Sequence, residues 1–321
     1  MTLLDHDGLD LDAAHSVTYL IEQTFRYDYD DPVESLRHRL MVIPPARHGA
    51  LHRRSARVRV SGAAVALARR RRRDAAGNTV VTVRAARVEG SVEFRLAAVL
   101  ERVGADGPTV LPVAALHDPR LLRPTRLTAP DARLTALARE LAAGTARDLP
   151  GAMAFDQAGG TARDLPGAMA SDQVGGAAAL DLAQVLCSAV RSALPYEYGV
   201  TTIDTTAAEA LAAGRGVCQD AAHIMLALCH VLRLPARYVS GHLLGQGGTH
   251  AWVEVVVPDA DHGAVAVPFD PCNGRRAGAG YLTVAVGRDY TDVAPTSGTF
   301  VGHSPGRLTA SRRVGVTALA A

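Results

Sequence analysis

Between residues 15 and 103 apolar and polar positions tend to alternate. The runs "HSVTYLIEQTFRYDY", "SLRHRLMVI", "SARVRVSG", "NTVVTVRAARV" and "SVEFRLAAVLER" are short, rich in valine, tyrosine and arginine, and separated by Gly, Pro, Asp or Asn. Successive side chains of a strand point to opposite faces of its sheet, so this pattern predicts an antiparallel β-sandwich. "DAAGN", Asp74 to Asn78, predicts a hairpin turn within it.

The period then lengthens. "TAPDARLTALARELAAG" sets Leu134, Leu137 and Leu141 on one helical face, with Thr128 as N-cap and Gly144 as the stop. "AALDLAQVLCSAVRSAL" carries an apolar stripe through Leu182, Leu186 and Val190 and halts at Pro195. "TAAE", Thr206 to Glu209, is a capping box that opens a short helix closed by Gly214. After Cys218, the positions Ala221, Ile224, Met225, Leu228 and Leu232 repeat at helical spacing. "THAWVEVVV" and "GAVAVPFDP" return to strand, with the turn-like "PDADHG" between them.

Strands followed by helices and a further sheet predict an α+β chain. The expected organisation is a β-sandwich over 15–120, a helix and linker over 121–180, and a second core over 181–318. The linker holds a tandem repeat: "TARDLPGAMAFDQAGG" at 145–160 recurs as "TARDLPGAMASDQVGG" at 161–176. One doubled unit falls short of the roughly three that a solenoid needs, so it reads as a duplication inside a tolerant loop.

With 321 residues, 48% of them hydrophobic, and a net charge of +2, the chain can bury a large core. It shows no overall charge excess that would mark nucleic acid or an anionic membrane as partner. All 34 basic residues are arginine. The run Arg69 to Arg73 is read as a solvated hairpin end, because many acids share its segment. The cysteines at 187, 218, 229 and 272 form neither a zinc spacing nor a disulfide framework. The first residues lack a basic stretch followed by an apolar one, and no run approaches the ~20 apolar residues of a membrane span. The expectation is a reduced, cytoplasmic protein without metal or cofactor.

Chemistry concentrates at "GRGVCQDAAH", residues 214–223. Cys218 opens the helical periodicity, where free N–H groups and the macrodipole favour a thiolate. Gly214 and Gly216 let the chain turn tightly before it. A cysteine at a helix start is also an ordinary small core residue, and these residues alone leave both readings open. A thiolate nucleophile works with a base that a third group orients. A hairpin turning near Ala260 or Asp261 pairs residues whose numbers sum to 520–522, which makes His250 and Asp270 cross-strand neighbours on one face. His223 is expected inside the helical layer, and His230 and His262 at the surface. A metal site from His223, His242 and His250 is not expected.

Taken together, "GRGVCQDAAHIMLAL", "LPARYVSGHL", "THAWVEV" and "FDPCNG" resemble the transglutaminase-like superfamily, in the bacterial branch with an N-terminal β domain. "FRYDYDDPVESLRHRLMVIPP", "YEYGVTTIDTTAAEAL" and "VAVGRDYTDVAPTSGTFVG" extend the resemblance over most of 15–145 and 180–316, leaving out the duplicated segment. The resemblance implies a papain-like core whose nucleophile starts a helix packed on an antiparallel sheet. It implies a triad of Cys218 as nucleophile, His250 as base and Asp270 as orienting acid. The Cys218 N–H would donate to an oxyanion, with Gln219, Tyr196 and Tyr198 as candidates for a second donor. Trp252, two residues past His250, would shield the His–Asp pair or simply pack the core.

The chain departs from the family at Ala221, in the short loop Gly241 to Thr249, at Cys272 in place of a threonine, and in lacking a tryptophan before Asp270. The implied activity is thiol-dependent acyl transfer on a peptide or amide, ending in transamidation to a small amine or in hydrolysis. A cysteine peptidase or amidase is the alternative. A non-catalytic protein-binding module on the same fold is a third reading.

Overall fold

The computed structural model describes residues 2–5, 8–65, 67–104, 107–148, 175–303 and 305–320. The duplicated unit lies outside them from 149 to 174. The chain is α+β, with two antiparallel sheets and a helical layer.

The first sheet is organised by one strand of 25 residues, Thr79–Val103. Along it, Ser16–Asp28 pairs with residues 91–103 and Val33–Ile43 with residues 79–88. Leu51–Val65 and Ala68–Arg73 pair with the same two halves in turn. Two of the long strands carry a glycine with positive φ where they run side by side, Gly62 at +119° and Gly90 at +135°, and Pro32 lies between Ser16–Asp28 and Val33–Ile43. A side chain at Gly62 would run into the Ser91 carbonyl, so the backbones touch there and only glycine fits. The sheet folds over along this line. Phe94 of one half stacks on His38 of the other, ring centres 4.6 Å apart, and Val17, Ile21, Leu36, Leu40, Val83 and Leu100 share one core. The sandwich is thus a single sheet bent on itself.

Residues 181–318 were expected to form one unit. Thr296–Val301 pairs instead with Val33–Ile43, and Arg307–Ala320 with Ser16–Asp28, so the chain's end completes the first sheet. Neither segment is read as a strand from the sequence, and local alternation says nothing about a strand's partners.

The second sheet runs in the order Tyr281–Gly287, Ala236–Leu243, His250–Asp259, Gly263–Asp270 and Arg275–Arg276. Helices Ala132–Asp148, Gly176–Ala193, Ala207–Ala213 and Cys218–Val231 pack on it through Leu134, Leu186, Met225, Leu228, Val253 and Val255. The two sheets are tied by Asn78 of the "DAAGN" turn. Its side-chain amide donates to the Val286 carbonyl (2.7 Å) and accepts from the Val286 N–H (2.9 Å).

Two helix boundaries and one histidine differ from expectation. Asp131, rather than Thr128, accepts the Leu134 N–H (2.8 Å) and caps the helix that begins at Ala132. Thr128 accepts from the Thr125 N–H instead. That helix runs past Gly144 to Asp148, since an interior glycine costs a helix only about 1 kcal/mol. His230 is buried, because the last turn of the helix that begins at Cys218 is covered by neighbouring elements.

Candidate active site

The chain reaches Cys218 through a tightly held turn. Gly214, at φ +64°, ends the short capped helix before it. The Gly216 carbonyl accepts the Glu197 N–H (2.8 Å), and Val217 serves as N-cap. The buried Asp220 carboxylate accepts the Val217 N–H (2.8 Å) and the Thr201 hydroxyl (2.7 Å), fixing the first turn from two sides. Burial pushes this carboxyl up despite those two donors. A Cβ at Gly216 would lie 2.7 Å from the Asp220 carboxylate, so the approach of the two segments depends on glycine. The Cys218 sulfur stands at the opened end of this helix, 4.0 Å from the carbonyl oxygen of Thr249.

Thr249 leads directly into the strand His250–Asp259. The His250 Nε2–H donates to Asp270 Oδ2 at 2.7 Å, with both side chains buried. Phe269 opposes Val253 in this ladder, so Asp270 falls opposite Trp252 and His250 is its diagonal neighbour. The expected direct pairing is displaced by two residues. The face is the predicted one, because a shift of two preserves the side.

Asp270 collects further donors. Oδ2 also accepts from the Tyr281 hydroxyl (2.7 Å) and Asn273 Nδ2 (2.6 Å), and Oδ1 from the Cys272 and Asn273 N–H groups (2.9 and 3.2 Å). Burial acts to raise this carboxyl, but His250, then Tyr281 and Asn273, outweigh it and hold it below the ordinary range. Burial likewise acts to lower the imidazole. Its hydrogen bonds to Asp270 and Cys218, and then their charges, outweigh that and raise it to about 9. With Nε2 engaged by Asp270, Nδ1 is the nitrogen left for the sulfur.

The other sequence candidates sort by position. Trp252 packs: it is buried with Val239 and Val286, and its ring centre lies 6.2 Å from that of His250 at 28°. Tyr196 borders the cleft; burial raises its phenol, followed by the charges of Cys218 and Cys272. Tyr198 is exposed. The Gln219 side chain donates to the carbonyls of Thr202 and Ile203, so its amide is committed to the neighbouring loop. Cys187 and Cys229 are buried core thiols, and burial pushes these two and Cys272 up to about 12.

Asn273 and Tyr281 were not singled out from the sequence. Asn273 had a signal, since "DPCNG" after a strand forms a turn that folds back on its own aspartate. Tyr281 had none. It belongs to a strand paired with Ala236–Leu243, and only the sheet order brings its hydroxyl to Asp270.

Residues 168–271, which include Cys218, His250 and Asp270, match the transglutaminase-like superfamily, and residues 19–101 match the bacterial transglutaminase-like N-terminal region. The chain belongs to this superfamily, in the form that carries the bacterial N-terminal region. The superfamily match starts at 168, inside the second copy of the repeat that the resemblance had left out. An uncharacterized protein of Mycobacterium leprae is 38% identical over 122 residues, covering 35% of this chain and 42% of that one. An uncharacterized protein of Mycobacterium tuberculosis strain H37Rv is 35% identical over 130 residues, covering 37% of this chain and 41% of that one. The matched stretch thus spans about two fifths of each relative's length. Among solved structures, one described as a "putative cysteine protease" from Cytophaga hutchinsonii superposes with a TM-score of 0.63 at 17% identity. That superposition covers 94% of this chain and 91% of the other, and it establishes the shared fold.

Proposed function

We propose that the protein is a cysteine-dependent enzyme that opens amide bonds through an acyl-enzyme. The observation that carries this reading is the imidazole of His250, hydrogen-bonded to the buried Asp270 and placed directly after Thr249, whose carbonyl oxygen lies 4.0 Å from the helix-start Cys218 sulfur. A base gripped by a carboxylate and facing a sulfur is what nucleophilic acyl transfer requires.

The sulfur attacks the amide carbonyl as a thiolate, paired with the protonated His250. A C–S bond forms, and the carbonyl electrons move to oxygen, where the Cys218 N–H donates to the oxyanion. As the oxyanion collapses, the C–N bond breaks and His250 gives its proton to the departing amine. The resulting thioester is opened by water, giving hydrolysis, or by a second amine, giving transamidation. His250 takes the proton of the incoming nucleophile, and the C–S bond breaks to restore the thiolate. Trp252 and Tyr281, packed beside the imidazole, keep bulk water from the His–Asp pair.

The deciding experiment incubates wild type and Cys218→Ala with a peptide library and a small primary amine, and reads products by mass spectrometry. Hydrolysed or amine-bearing products from wild type alone are expected. Identical product spectra from the two proteins would overturn the proposal. A faster check alkylates the native protein with iodoacetamide at neutral pH. Modification is expected at Cys218 alone, because burial keeps the thiols of Cys187, Cys229 and Cys272 protonated.

A further inference from the structure

Two titratable side chains lie beneath the nucleophile and take no part in the amide chemistry. Asp220 and His223 stand three residues apart on the helix that begins at Cys218, and both are fully buried. Residues at this spacing are neighbours on one helical face, and helical side chains lean toward the N-terminus, so His223 leans toward Asp220. Each has one atom engaged and one left over. Asp220 Oδ2 accepts the Val217 N–H and the Thr201 hydroxyl, while Oδ1 has no hydrogen-bond partner among the described residues. His223 Nε2 accepts the Tyr290 N–H at 3.2 Å, while Nδ1 has none.

The two leftover atoms are complementary. A ring nitrogen that accepts a hydrogen bond carries no proton, so the neutral ring of His223 holds its proton on Nδ1. His223 thus presents an unused donor, and Asp220 an unused acceptor. Buried polar groups are costly without a partner, and few proteins leave them so. Tyr238 borders both residues. Its ring centre lies 5.3 Å from that of His223, and its phenol, raised first by burial, also feels the charges of Cys218, Tyr290 and Asp220. A donor, an acceptor and a hydroxyl are the three partners that a buried water usually takes.

We infer that one buried water joins the His223 Nδ1–H to Asp220 Oδ1, and that through this link His223 positions the turn that presents Cys218. The water accepts from His223, donates to Asp220, and has its second hydrogen for the Tyr238 hydroxyl. A continuous chain then runs from the Tyr290 N–H through His223, the water and Asp220 to the Val217 N–H, one residue before the nucleophile. Tyr290 follows closely on the strand Tyr281–Gly287, whose Tyr281 hydroxyl donates to Asp270. One strand and its exit therefore steady both the orienting acid and the turn that carries the sulfur. His223 is a positioning residue, since it acts through Asp220 and the backbone. Its purpose rests on the proposed amide chemistry, but the link itself is read in the resting protein, so the two fail separately.

The first measurement is proton–nitrogen NMR of the full-length wild-type protein with isotope-labelled histidine at neutral pH, His223 being assigned by its contacts with the Tyr238 ring. The ring is expected as the Nδ1–H tautomer, with an Nδ1 proton that resists exchange with bulk water. The Nε2–H tautomer, or an Nδ1 proton lost to rapid exchange, would overturn the inference. This measurement needs neither a variant nor a reactive thiol. The second is the rate of Cys218 alkylation by iodoacetamide, with far-UV circular dichroism as a check on folding. His223→Leu is expected to slow it about fivefold. His223→Gln, whose amide can accept from Tyr290 and donate to the water, restores most of the rate. In an Asp220→Ala background His223→Leu has no further effect, because the link is already gone. Equal slowing by His223→Leu in both backgrounds, or no recovery with glutamine, is what a packing role alone would produce, and either would refute the positioning role.

Discussion

Asp270 is where single residues decide the chemistry. Its two oxygens accept five hydrogen bonds, from His250, Tyr281, Cys272 and both nitrogens of Asn273. The carboxylate in turn keeps the imidazole protonated up to about pH 9. In the proposed reaction that proton goes to the leaving amine, so turnover is expected to fall as pH rises through about 9. Asp270→Asn removes the charge that raises His250, so this alkaline limit moves to lower pH; a pH–rate profile checks it. Tyr281→Phe deletes one donor and leaves the ring packed on Trp252. It is expected to cost about 1 kcal/mol of stability and to shift the same limit by a smaller amount. His250 and Asp270 could be found from sequence because a hairpin relates them by counting. Tyr281 could not, because its nearness to Asp270 comes from a strand order that residue numbers do not encode.

At the scale of the element, the helix Cys218–Val231 combines a reactive start with a buried body. His223 lies within it and accepts the Tyr290 N–H through Nε2 (3.2 Å), which requires a neutral ring. Burial lowers His223 and His230 to about 4, and His38 and His242 behave alike elsewhere. Their unfolded forms take up protons near pH 6.5, before the folded forms do. The stability they allow is complete above about pH 6.5 and drains away as pH falls toward 4, at up to about 3 kcal/mol for each fully buried ring. His250 has the opposite sign: its contribution is whole below pH 6.5 and lost as pH rises through about 9. Thermal unfolding followed from pH 7 to pH 4 is expected to show a steep decline, made shallower by His223→Gln. At the other end of the helix, Gly216→Ala forces a Cβ against Asp220 and should slow Cys218 alkylation while far-UV circular dichroism stays native. The helix, its start and its apolar face were legible from the 3.6-residue period. The Asp131 cap and the run through Gly144 were not, since a tertiary setting overrides a weak local preference.

The whole molecule depends on its two chain ends meeting. Ser16–Asp28 is sandwiched between the long central strand and Arg307–Ala320. Removing residues from 296 onward strips two strands from the bent sheet, takes Val316 with them and uncovers the core at Val17, Tyr19 and Ile21. Such a truncation is expected to abolish cooperative unfolding, as calorimetry would register. Asn78→Ala leaves both backbone groups of Val286 without their side-chain partner at the joint between the sheets. It should lower the melting temperature by an amount corresponding to roughly 1–3 kcal/mol.

The role of Cys218 came from the family resemblance; the sequence by itself determined most of the helices and strands, the side of those strands that faces inward, and the shared face of His250 and Asp270. Each follows from short-range geometry: period two, period 3.6, and the pairing rule of a tight hairpin. Only the tertiary structure decided that the sandwich is one bent sheet completed by residues 296–301 and 307–320, and that Tyr281 joins the cradle of Asp270. Those facts depend on the order of strands in a sheet, which residue numbers do not encode, and on the closeness of backbones at Gly62.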